Sequence, residues 1–224
     1  MEMNLIAPSL PCDFPAIPVM VGRTVDLERV DPARHGHDLW MAIGADPAPW
    51  AEIPPGPFAD EATFMAWLTD RAGRADAVLY AIIDKSGGRP AAGLFFLLNI
   101  DTAMGVLELG LVYGPALSRR TQGTEAFFLI ARAVFETLRY RRLEWRCNPE
   151  NIASRRAAER FGFTFEGLMR QSMWVKGRNW DTALYAMIDR DWPGIAARFA
   201  AFLSPDNFGP DGRQIRKLGQ ETAG

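Results

Sequence analysis

The 224-residue sequence predicts one α/β domain with a mixed sheet. Hydrophobic residues make up 48% of the chain, which is enough for one full-sized core, and the length is short for two domains. Segments with two-residue apolar alternation are interspersed with segments of helical periodicity. The predicted order is a strand, two helices, three strands, a helix, a strand, a helix, two strands and a last helix.

Composition excludes several classes of protein. Subtracting 27 acidic from 25 basic residues gives a net charge of −2, so no overall positive field indicates DNA as a partner. No apolar run approaches the roughly 18–20 residues that span a membrane, and the start of the chain lacks a secretory pattern. Cys12 and Cys147 lie far apart, so we expect free thiols and a cytoplasmic location.

Three segments divide the chain. Four prolines (Pro8, Pro11, Pro15 and Pro18) remove amide donors from residues 1–20, which predicts an extended arm. Residues 21–203 carry the periodic patterns and form the predicted domain. Residues 204–224 are polar with Gly and Pro, and we expect a loosely held tail.

The first half of the domain alternates turn signals with short periodic runs. A strand is predicted over residues 23–30, and Asp31-Pro32 caps a helix that Gly44 ends. The proline-dense loop 45–57 follows, and Asp60 caps a second helix over 61–71. Residues 77–84, 90–100 and 105–113 then form a three-stranded meander. In its third strand, alternation puts Glu108 and Gly110 on the face opposite Leu107, Leu109 and Leu111.

The second half begins with a long amphipathic helix over residues 122–139, which places Glu125 on its solvated side. A short strand over 143–147 leads to a helix that Asn151 caps and Gly162 ends. Strands are predicted over 163–175 and 181–188, joined by a turn over 176–179, and a last helix covers 191–203.

The junction between the third meander strand and the long helix predicts an anion site. The first amides of a helix lack intrahelical partners, and the helix dipole adds partial positive charge there. Arg119 and Arg120 lie directly beside these amides. The alternative is an ordinary strand–turn–helix joint with two solvated arginines.

Four segments together resemble a known family. They read IDTAMGVLELGLVY, the turn into TEAFFLI, NPENIASRRAAERFGFTFEG and VKGRNWDTALYAMI. Across residues 21–192 the chain resembles the GNAT acyl-CoA-dependent N-acyltransferases, within them the ribosomal-protein N-terminal acetyltransferases. The resemblance implies a seven-stranded, mostly antiparallel sheet with helices on both faces, splayed at an acyl-CoA site. It also implies acetyl-CoA as cosubstrate and no metal.

The resemblance implies roles for particular residues. The turn amides would hold the CoA pyrophosphate, with Arg119 and Arg120 adding charge, while Leu109 and Leu111 would pair with the pantetheine arm. Asn151 would bond that arm, and Ser154 would lie near the thioester sulfur. The turn residues concerned are Thr121, Gln122, Gly123 and Thr124.

This turn departs from the family pattern of Arg/Gln-x-x-Gly-x-Gly/Ala. Ser118 and Thr121 occupy its first and fourth positions, and Ala158 stands where many relatives carry a tyrosine acid. Ribosomal-branch relatives also lack that tyrosine. The departures motivate an alternative function, a non-catalytic acyl-CoA-binding module.

The chemistry requires a neutral amine, and a carboxylate beside the thioester can take its proton through water. Glu108 is the predicted base, with a strand carboxylate paired to an arginine as its alternative role. Ser154 would protonate or bond the departing thiolate, or be an ordinary first-turn residue.

The acceptor would be a protein N-terminus or a small-molecule amine, and a larger acyl group such as succinyl stays open. In the family that the chain resembles, the loop after the first helix and the late hairpin flank the acceptor entrance. The resemblance therefore makes Trp50, Phe58 and Trp174 candidate acceptor contacts, with core packing as the alternative.

Other features carry weaker expectations. His35 and His37 lack cysteine neighbours, so we expect no metal site there. An arginine cluster would be a solvated face, a contact for the adenosine 3′-phosphate of CoA or an RNA contact. The cluster comprises Arg139, Arg141, Arg142, Arg155 and Arg156.

A homodimer would form through an edge strand or through the aromatic C-terminal helix with Trp192, Phe199 and Phe202.

Overall fold

Eight strands form one sheet in the computed structural model, which describes residues 10–210 and 214–218. They are β1 (Val19–Val21), β2 (Val25–Arg29), β3 (Val78–Asp84), β4 (Ala91–Asp101), β5 (Val106–Tyr113), β6 (Arg142–Cys147), β7 (Thr164–Val175) and β8 (Arg178–Ile188). Their spatial order is β1-β2-β3-β4-β5-β6-β8-β7. Neighbours run antiparallel except for β5 and β6, which are parallel. The predicted mixed, mostly antiparallel sheet is therefore confirmed.

Five helices accompany the sheet, and their capping follows the sequence. They are α1 (Pro32–Leu39), α2 (Glu61–Ala72), α3 (Thr121–Arg132), α4 (Ile152–Phe161) and α5 (Trp192–Leu203). The side chains of Asp31, Asp60 and Asn151 each accept a backbone N–H in the first turn, as predicted. Gly162 ends α4 in the left-handed conformation at φ 100°. One π-turn extends α1 to Gly44, and another extends α3 to Thr137.

The helices cover both faces of the sheet. In β3, Val78, Tyr80 and Ile82 join a core with α3, α4 and α5, whereas Leu79 and Ala81 join a second core with α1 and α2. Because successive strand residues point to opposite faces, β3 is buried along its whole length. The predicted arrangement of helices on both faces is confirmed.

The count of seven strands is wrong by one. Met20 and its two valine neighbours form β1, which pairs antiparallel with β2 in the register Met20↔Leu27. Because prolines are frequent around this short strand, its residues were predicted to be part of an extended arm. Residues 1–9 of the predicted arm lie outside the described residues.

Glu125 also differs from its prediction, because it is buried rather than solvated. Its carboxylate accepts hydrogen bonds from the backbone of Arg23 and Thr24, at 2.9 Å for Thr24 N, and from the Thr24 hydroxyl. It thereby ties the turn between β1 and β2 to α3. A buried carboxylate is tolerated when hydrogen bonds satisfy it in this way.

The hairpin of β7 and β8 is tighter than predicted. Only Lys176 and Gly177 form the turn, at φ 50° and 75°, and β8 begins at Arg178 rather than Asp181. Two positive φ values suit the two-residue turns that join antiparallel strands. This turn carries Lys176 to the tip of the hairpin.

The aromatic stripe of α5 is part of the chain's own core. Trp192, Phe199 and Phe202 are each at most 5% exposed, so this stripe is not a free surface for a homodimer. Beyond α5, buried Asn207 donates hydrogen bonds to the carbonyls of Phe202 and Arg216. Parts of the predicted tail, residues 211–213 and 219–224, lie outside the described residues. Within the described ranges, none of the helices is long and apolar enough to cross a membrane.

Candidate functional site

The site begins where β5 and β6 part. The parallel pairing runs from Val106↔Arg142 to Glu108↔Glu144 and stops, although both strands continue. On its other edge β5 stays paired with β4 as far as Tyr113. The side of residues 109–113 that faces β6 therefore has no ladder partner in the described chain. This confirms the predicted splay.

The first cavity at the splay is the helix-end cavity, about 1160 Å³ at the start of α3. No side chain caps α3, and its cap residue Arg120 is extended. The first helical amides are thus left without intrahelical partners. The six turn residues of the predicted phosphate site all line this cavity: Arg119, Arg120, Thr121, Gln122, Gly123 and Thr124.

Positive charge dominates the helix-end cavity. Five arginines line it, and no carboxylate is among the described lining residues. Arg160 donates a 3.1 Å hydrogen bond to Thr124 Oγ1 and lies over the rings of Phe161 and Phe202. Burial lowers the pKa of Arg160, and no carboxylate of the described chain lies within 4 Å of it. The arginines are Arg23, Arg119, Arg120, Arg156 and Arg160.

The turn before α3 is closely packed. A Cβ atom added at Gly123 would lie 2.4 Å from the carbonyl oxygen of Leu117. Tyr113 donates a 2.7 Å hydrogen bond to the carbonyl of Gly123, and burial raises the pKa of Tyr113. The left-handed residue of the turn is Arg119, at φ 59°. Thr121 starts the helix instead, so its position does not need the backbone freedom of glycine.

The second cavity at the splay, the carboxylate cavity, measures about 480 Å³ and contains Glu108. Asn99 Nδ2 donates to Glu108 Oε2 at 2.8 Å, and Arg146 Nε lies 3.3 Å from the same oxygen. Burial raises the pKa of Glu108, while Arg146 and Asn99 oppose that rise by favouring the ionised form. Oε1 of Glu108 makes no hydrogen bond with the residues that the structure describes. Glu108 therefore lines a cavity and also pairs with an arginine, and the role of base stays a prediction.

Among the described residues, Leu111 is the one that lines both cavities. Leu109, two residues earlier, is buried in the core beneath the sheet and contributes only its backbone to the splayed edge. The two cavities therefore meet where β5 leaves β6.

The start of α4 supplies polar groups beside this meeting point. Asn151 Oδ1 caps the helix by accepting from Ser154 N at 2.9 Å, which leaves its Nδ2 without a partner in the described chain. Ser154 Oγ accepts a 2.9 Å hydrogen bond from Trp145 Nε1. Burial raises the pKa of the neighbouring Cys147 thiol, and Ser154 partly offsets that rise. Neither Asn151 nor Ser154 is among the described residues that line the two cavities, although the preceding Ala153 lines the helix-end cavity and Cys147, which interacts with Ser154, lines the carboxylate cavity.

The three aromatic residues expected to contact the acceptor do not line the carboxylate cavity. Trp50 is fully buried in the core and donates a 2.6 Å hydrogen bond to the carbonyl of Ile43. Phe58 packs edge-on against Trp50 at 4.9 Å, and Trp174 is 70% exposed at the hairpin. The elements that carry them do form walls, through other residues: Ile53, Pro54, Pro55, Met169, Ser172 and Met173.

The predicted arginine cluster is dispersed by the fold. Arg142 pairs with Glu166 at 2.6 Å, and Arg155 donates to Tyr185 Oη at 3.1 Å. Arg141 donates to the carbonyl of Met104, and only Arg156 reaches the helix-end cavity. The other four members are not among the described residues that line this cavity.

Sequence reasoning missed three residues of the site, Arg160, Asn99 and Arg146. Arg160 lies four residues after Arg156, and this helical spacing on α4 could have placed both on the same side. Asn99 and Arg146, which hold Glu108, gave no comparable signal because they come from different strands.

The described residues contain no group of three or more metal-ligating side chains. His35 is buried against Glu28, with Nε2 3.4 Å from a carboxylate oxygen, and exposed His37 contacts Glu61 at 2.8 Å.

The comparisons with known proteins agree with this architecture. Residues 27–164 match the acetyltransferase (GNAT) domain, which is more than half of the chain. The chain therefore belongs to the GNAT acetyltransferase family. Members of this family transfer an acetyl group from acetyl-CoA as cosubstrate.

Solved structures extend the similarity over most of the chain. A GCN5-related N-acetyltransferase from Brucella melitensis is 43% identical with a TM-score of 0.85, covering 89% of this chain and 91% of its own. A GNAT-family protein from Chromobacterium violaceum is 38% identical with a TM-score of 0.79, covering 86% and 97%.

Curated relatives cover less. YdaF of Bacillus subtilis, provisionally named a ribosomal N-acetyltransferase, is 28% identical over 102 residues, 46% of this chain and 56% of its own length. The chain spans about half the length of the curated relatives it matches. This similarity agrees with the predicted resemblance to the ribosomal branch.

Proposed function

We propose that the protein transfers an acetyl group from acetyl-CoA to a primary amine by direct attack, with Glu108 as the base. One observation carries this proposal. An arginine-lined cavity at a helix start and a cavity containing a carboxylate meet at Leu111, where β5 and β6 part. A thioester lying through the splay would have its phosphates on one side and its acetyl group facing the carboxylate.

The helix-end cavity suits the phosphates of acetyl-CoA. The uncapped amides of α3 and the arginines offer donors and charge, and a helix start favours anions. In this proposal Thr121, Gln122 and Gly123 bind the pyrophosphate, and Arg119 and Arg120 support them. Arg156 and Arg160 lie on the facing helix α4 and contact the remaining phosphate groups.

The open edge of β5 suits the pantetheine arm. Backbone groups near Leu109 and Leu111 pair with its amides, and Asn151 Nδ2 donates to it. The amides near Leu111 also polarise the thioester carbonyl, because fixed donors stabilise the oxyanion that develops there. Ser154 lies beside the leaving sulfur and donates to the thiolate.

Glu108 accepts the amine proton in this scheme. Deprotonating an α-amine of pKa near 7.7–8 costs about 1 kcal/mol at pH 7, and a lysine amine near 10.4 costs about 4–5 kcal/mol. Asn99 and Arg146 hold one carboxylate oxygen, so the other is available to the amine or to a bridging water. The nitrogen attacks the carbonyl carbon, the C–S bond breaks, and CoA leaves as the thiol with a proton from water or from Ser154. Ser154 regains its proton from solvent, and Glu108 releases the amine proton to solvent.

The proposal includes a cytoplasmic location and a surface for a homodimer. Cys12 and Cys147 are both free thiols, which agrees with a cytoplasmic location. The exposed edge strand β7 is the surface that a homodimer would use, since the stripe of α5 is internal.

The test is a calorimetric titration with acetyl-CoA and with dephospho-acetyl-CoA, followed by an assay of CoA release with amines. We expect micromolar binding, weaker binding without the 3′-phosphate, and amine-dependent CoA release. Binding without CoA release for any amine would identify a non-catalytic acyl-CoA-binding module. Release from succinyl-CoA in preference to acetyl-CoA would identify the larger acyl group. No binding at millimolar ligand would contradict the proposal.

A further inference from the structure

The carboxylate cavity has a mostly apolar wall. Its volume of about 480 Å³ lies in the ~300–1,000 Å³ range typical of small-molecule sites. Three large aromatic side chains, Trp67, Phe96 and Trp180, line it together with Met169 and Met173. Such a wall favours an apolar body by removing its surface from water.

Most polar side chains in the wall already have partners in the fold. Ser172 and Thr182 share a 2.6 Å hydrogen bond, and Arg146 pairs with Glu144 at 2.8 Å. Asn148 donates to Glu52 at 2.7 Å. The exceptions include Oε1 of Glu108 and the buried indole N–H of Trp180, for which the described chain offers no partner. A peptide acceptor would bring several amide groups into a wall that has few hydrogen-bonding groups left to receive them.

Contacts of Lys176 and Arg178 with residues 50–53, which we call the clasp, join two walls of this cavity. Lys176, at the tip of the β7–β8 hairpin, donates hydrogen bonds to the carbonyls of Trp50 and Ile53, with 2.9 Å to Ile53. These residues precede Lys176 by 126 and 123 positions. Arg178 adds an ion pair with Glu52 at 3.6 Å. The clasp therefore ties the loop that carries Ile53, Pro54 and Pro55 to the hairpin that carries Met173.

The clasp is anchored at both ends. Trp50 is fully buried and hydrogen-bonded to Ile43, so its carbonyl is a fixed acceptor for Lys176. On the hairpin, Arg178 also pairs with Glu150 at 3.0 Å, which ties the tip to the segment before α4. Two walls held in this way set the width of the cavity before any acceptor binds.

We infer that the acceptor is a small primary amine attached to an apolar body such as one aromatic ring, and that Lys176 limits its size by clasping the loop to the hairpin. This inference rests on the proposed function. Lys176 acts as a positioning residue, since it holds the wall and does not touch the reacting atoms.

The experiment measures CoA release from acetyl-CoA with three acceptors: 2-phenylethylamine, ethanolamine and a hexapeptide with a free N-terminal serine. Values of kcat/KM are divided by the neutral fraction of each amine, because only that form attacks. We expect 2-phenylethylamine to exceed both others by about tenfold or more, since apolar pockets discriminate on that scale.

Variants of the clasp test the role of Lys176. Lys176→Met should raise KM for 2-phenylethylamine by about fivefold or more and reduce its advantage over the peptide, with a smaller change in kcat. Lys176→Arg keeps hydrogen-bond donors at this position, so its KM for 2-phenylethylamine should lie close to the wild-type value. Arg170→Ala, on the exposed part of the same hairpin, is the control and should match the wild type. Unchanged affinity for acetyl-CoA in Lys176→Met shows that the helix-end cavity is intact.

Failure of this inference can be distinguished from failure of the proposed function. If the wild type binds acetyl-CoA but acetylates the peptide or ethanolamine as well as 2-phenylethylamine, the inference is overturned and the proposed function stands. If Lys176→Met leaves KM unchanged for every acceptor, the role of Lys176 is overturned and the proposed function stands. If acetyl-CoA does not bind at all, both the proposed function and this inference fall.

Discussion

The side-chain amide of Asn99 donates a 2.8 Å hydrogen bond to Oε2 of Glu108, nine residues further along the chain. Asn99 has a positive φ of 47°, at the point where the regular register between β4 and β5 is interrupted. The bond fixes one oxygen of the carboxylate and favours its ionised form. Together with Arg146, it opposes the effect of burial, which raises the pKa of Glu108.

Asn99→Ala should therefore move the pH dependence of acetyl transfer. Losing a donor to the ionised carboxylate raises the pKa of Glu108 further, so a higher pH is needed to form the base. We expect the acid limb of the kcat/KM profile to move to higher pH, while the plateau is largely retained. Asn179→Ala, on the exposed start of β8, is the matched control. A limb that moves to lower pH would show that Asn99 does not act through this hydrogen bond.

Gly123→Ala should disturb the start of α3. The added methyl group would lie 2.4 Å from the carbonyl oxygen of Leu117, which belongs to the turn itself and cannot easily move. We expect a loss of about 1–3 kcal/mol in the free energy of unfolding, as for other overpacked sites, and weaker binding of acetyl-CoA. Urea unfolding measures the change in the free energy of unfolding, and calorimetry measures the affinity for acetyl-CoA. Gly87→Ala, where nothing lies within 4 Å, is the control. Equal effects at both positions would argue against close packing at Gly123.

Arg160→Gln should weaken binding of acetyl-CoA while leaving the fold intact. A hydrogen bond to a charged group contributes about 1.5–3 kcal/mol, which corresponds to a loss of about tenfold to a hundredfold in affinity. The wild type should also lose affinity with rising salt more steeply than the variant. Arg190→Gln is the control, since Arg190 is exposed near Asp191 and lines neither cavity. Unchanged affinity in Arg160→Gln would remove Arg160 from the phosphate site.

His35 should make stability depend on pH. Its Nδ1 accepts a 3.0 Å hydrogen bond from Asp31 N, and burial lowers its pKa below the usual 6.5. The unfolded chain therefore takes up the proton first, so stability is retained above about pH 6.5 and declines as pH falls below it. We expect His35→Gln to reduce this decline in urea unfolding between pH 7.5 and 5.5. His37→Gln is the control, because Glu61 raises the pKa of exposed His37, which gives the opposite sign. An undiminished decline in His35→Gln would contradict this explanation.

Local signals allowed most of the fold to be predicted from sequence. The caps Asp31, Asp60 and Asn151 act within three residues of themselves, and periodicity over twelve residues identified α3. The grouping of residues 119–124 at the start of α3 was also predictable, because these residues are consecutive. Strand β1 was missed because it is three residues long and lies among prolines.

The cavity that we propose for the acceptor could not be predicted in the same way. Its wall depends on contacts such as that of Lys176 with Trp50, 126 residues apart, for which no pattern in the sequence gives a signal. Trp50 was a candidate for substrate contact because the resemblance places the loop after the first helix beside the acceptor entrance. The structure instead uses its ring in the core and its carbonyl to hold the wall. Glu125 was placed in solvent by periodicity alone, since its partners in the β1–β2 turn are about a hundred residues away.

Acetylation of an amine with Glu108 as the base can be followed by mass spectrometry. 2-Phenylethylamine is incubated with isotopically labelled acetyl-CoA and either wild-type protein or Glu108→Gln, from pH 6 to 9. We predict labelled N-acetylated product with the wild type, and a rate lower by about a hundredfold or more in Glu108→Gln at neutral pH, in line with general base catalysis. Equal rates across the whole pH range would contradict the role of Glu108. Absence of labelled product with this amine and with a peptide N-terminus, despite binding of acetyl-CoA, would contradict acetyl transfer to amines.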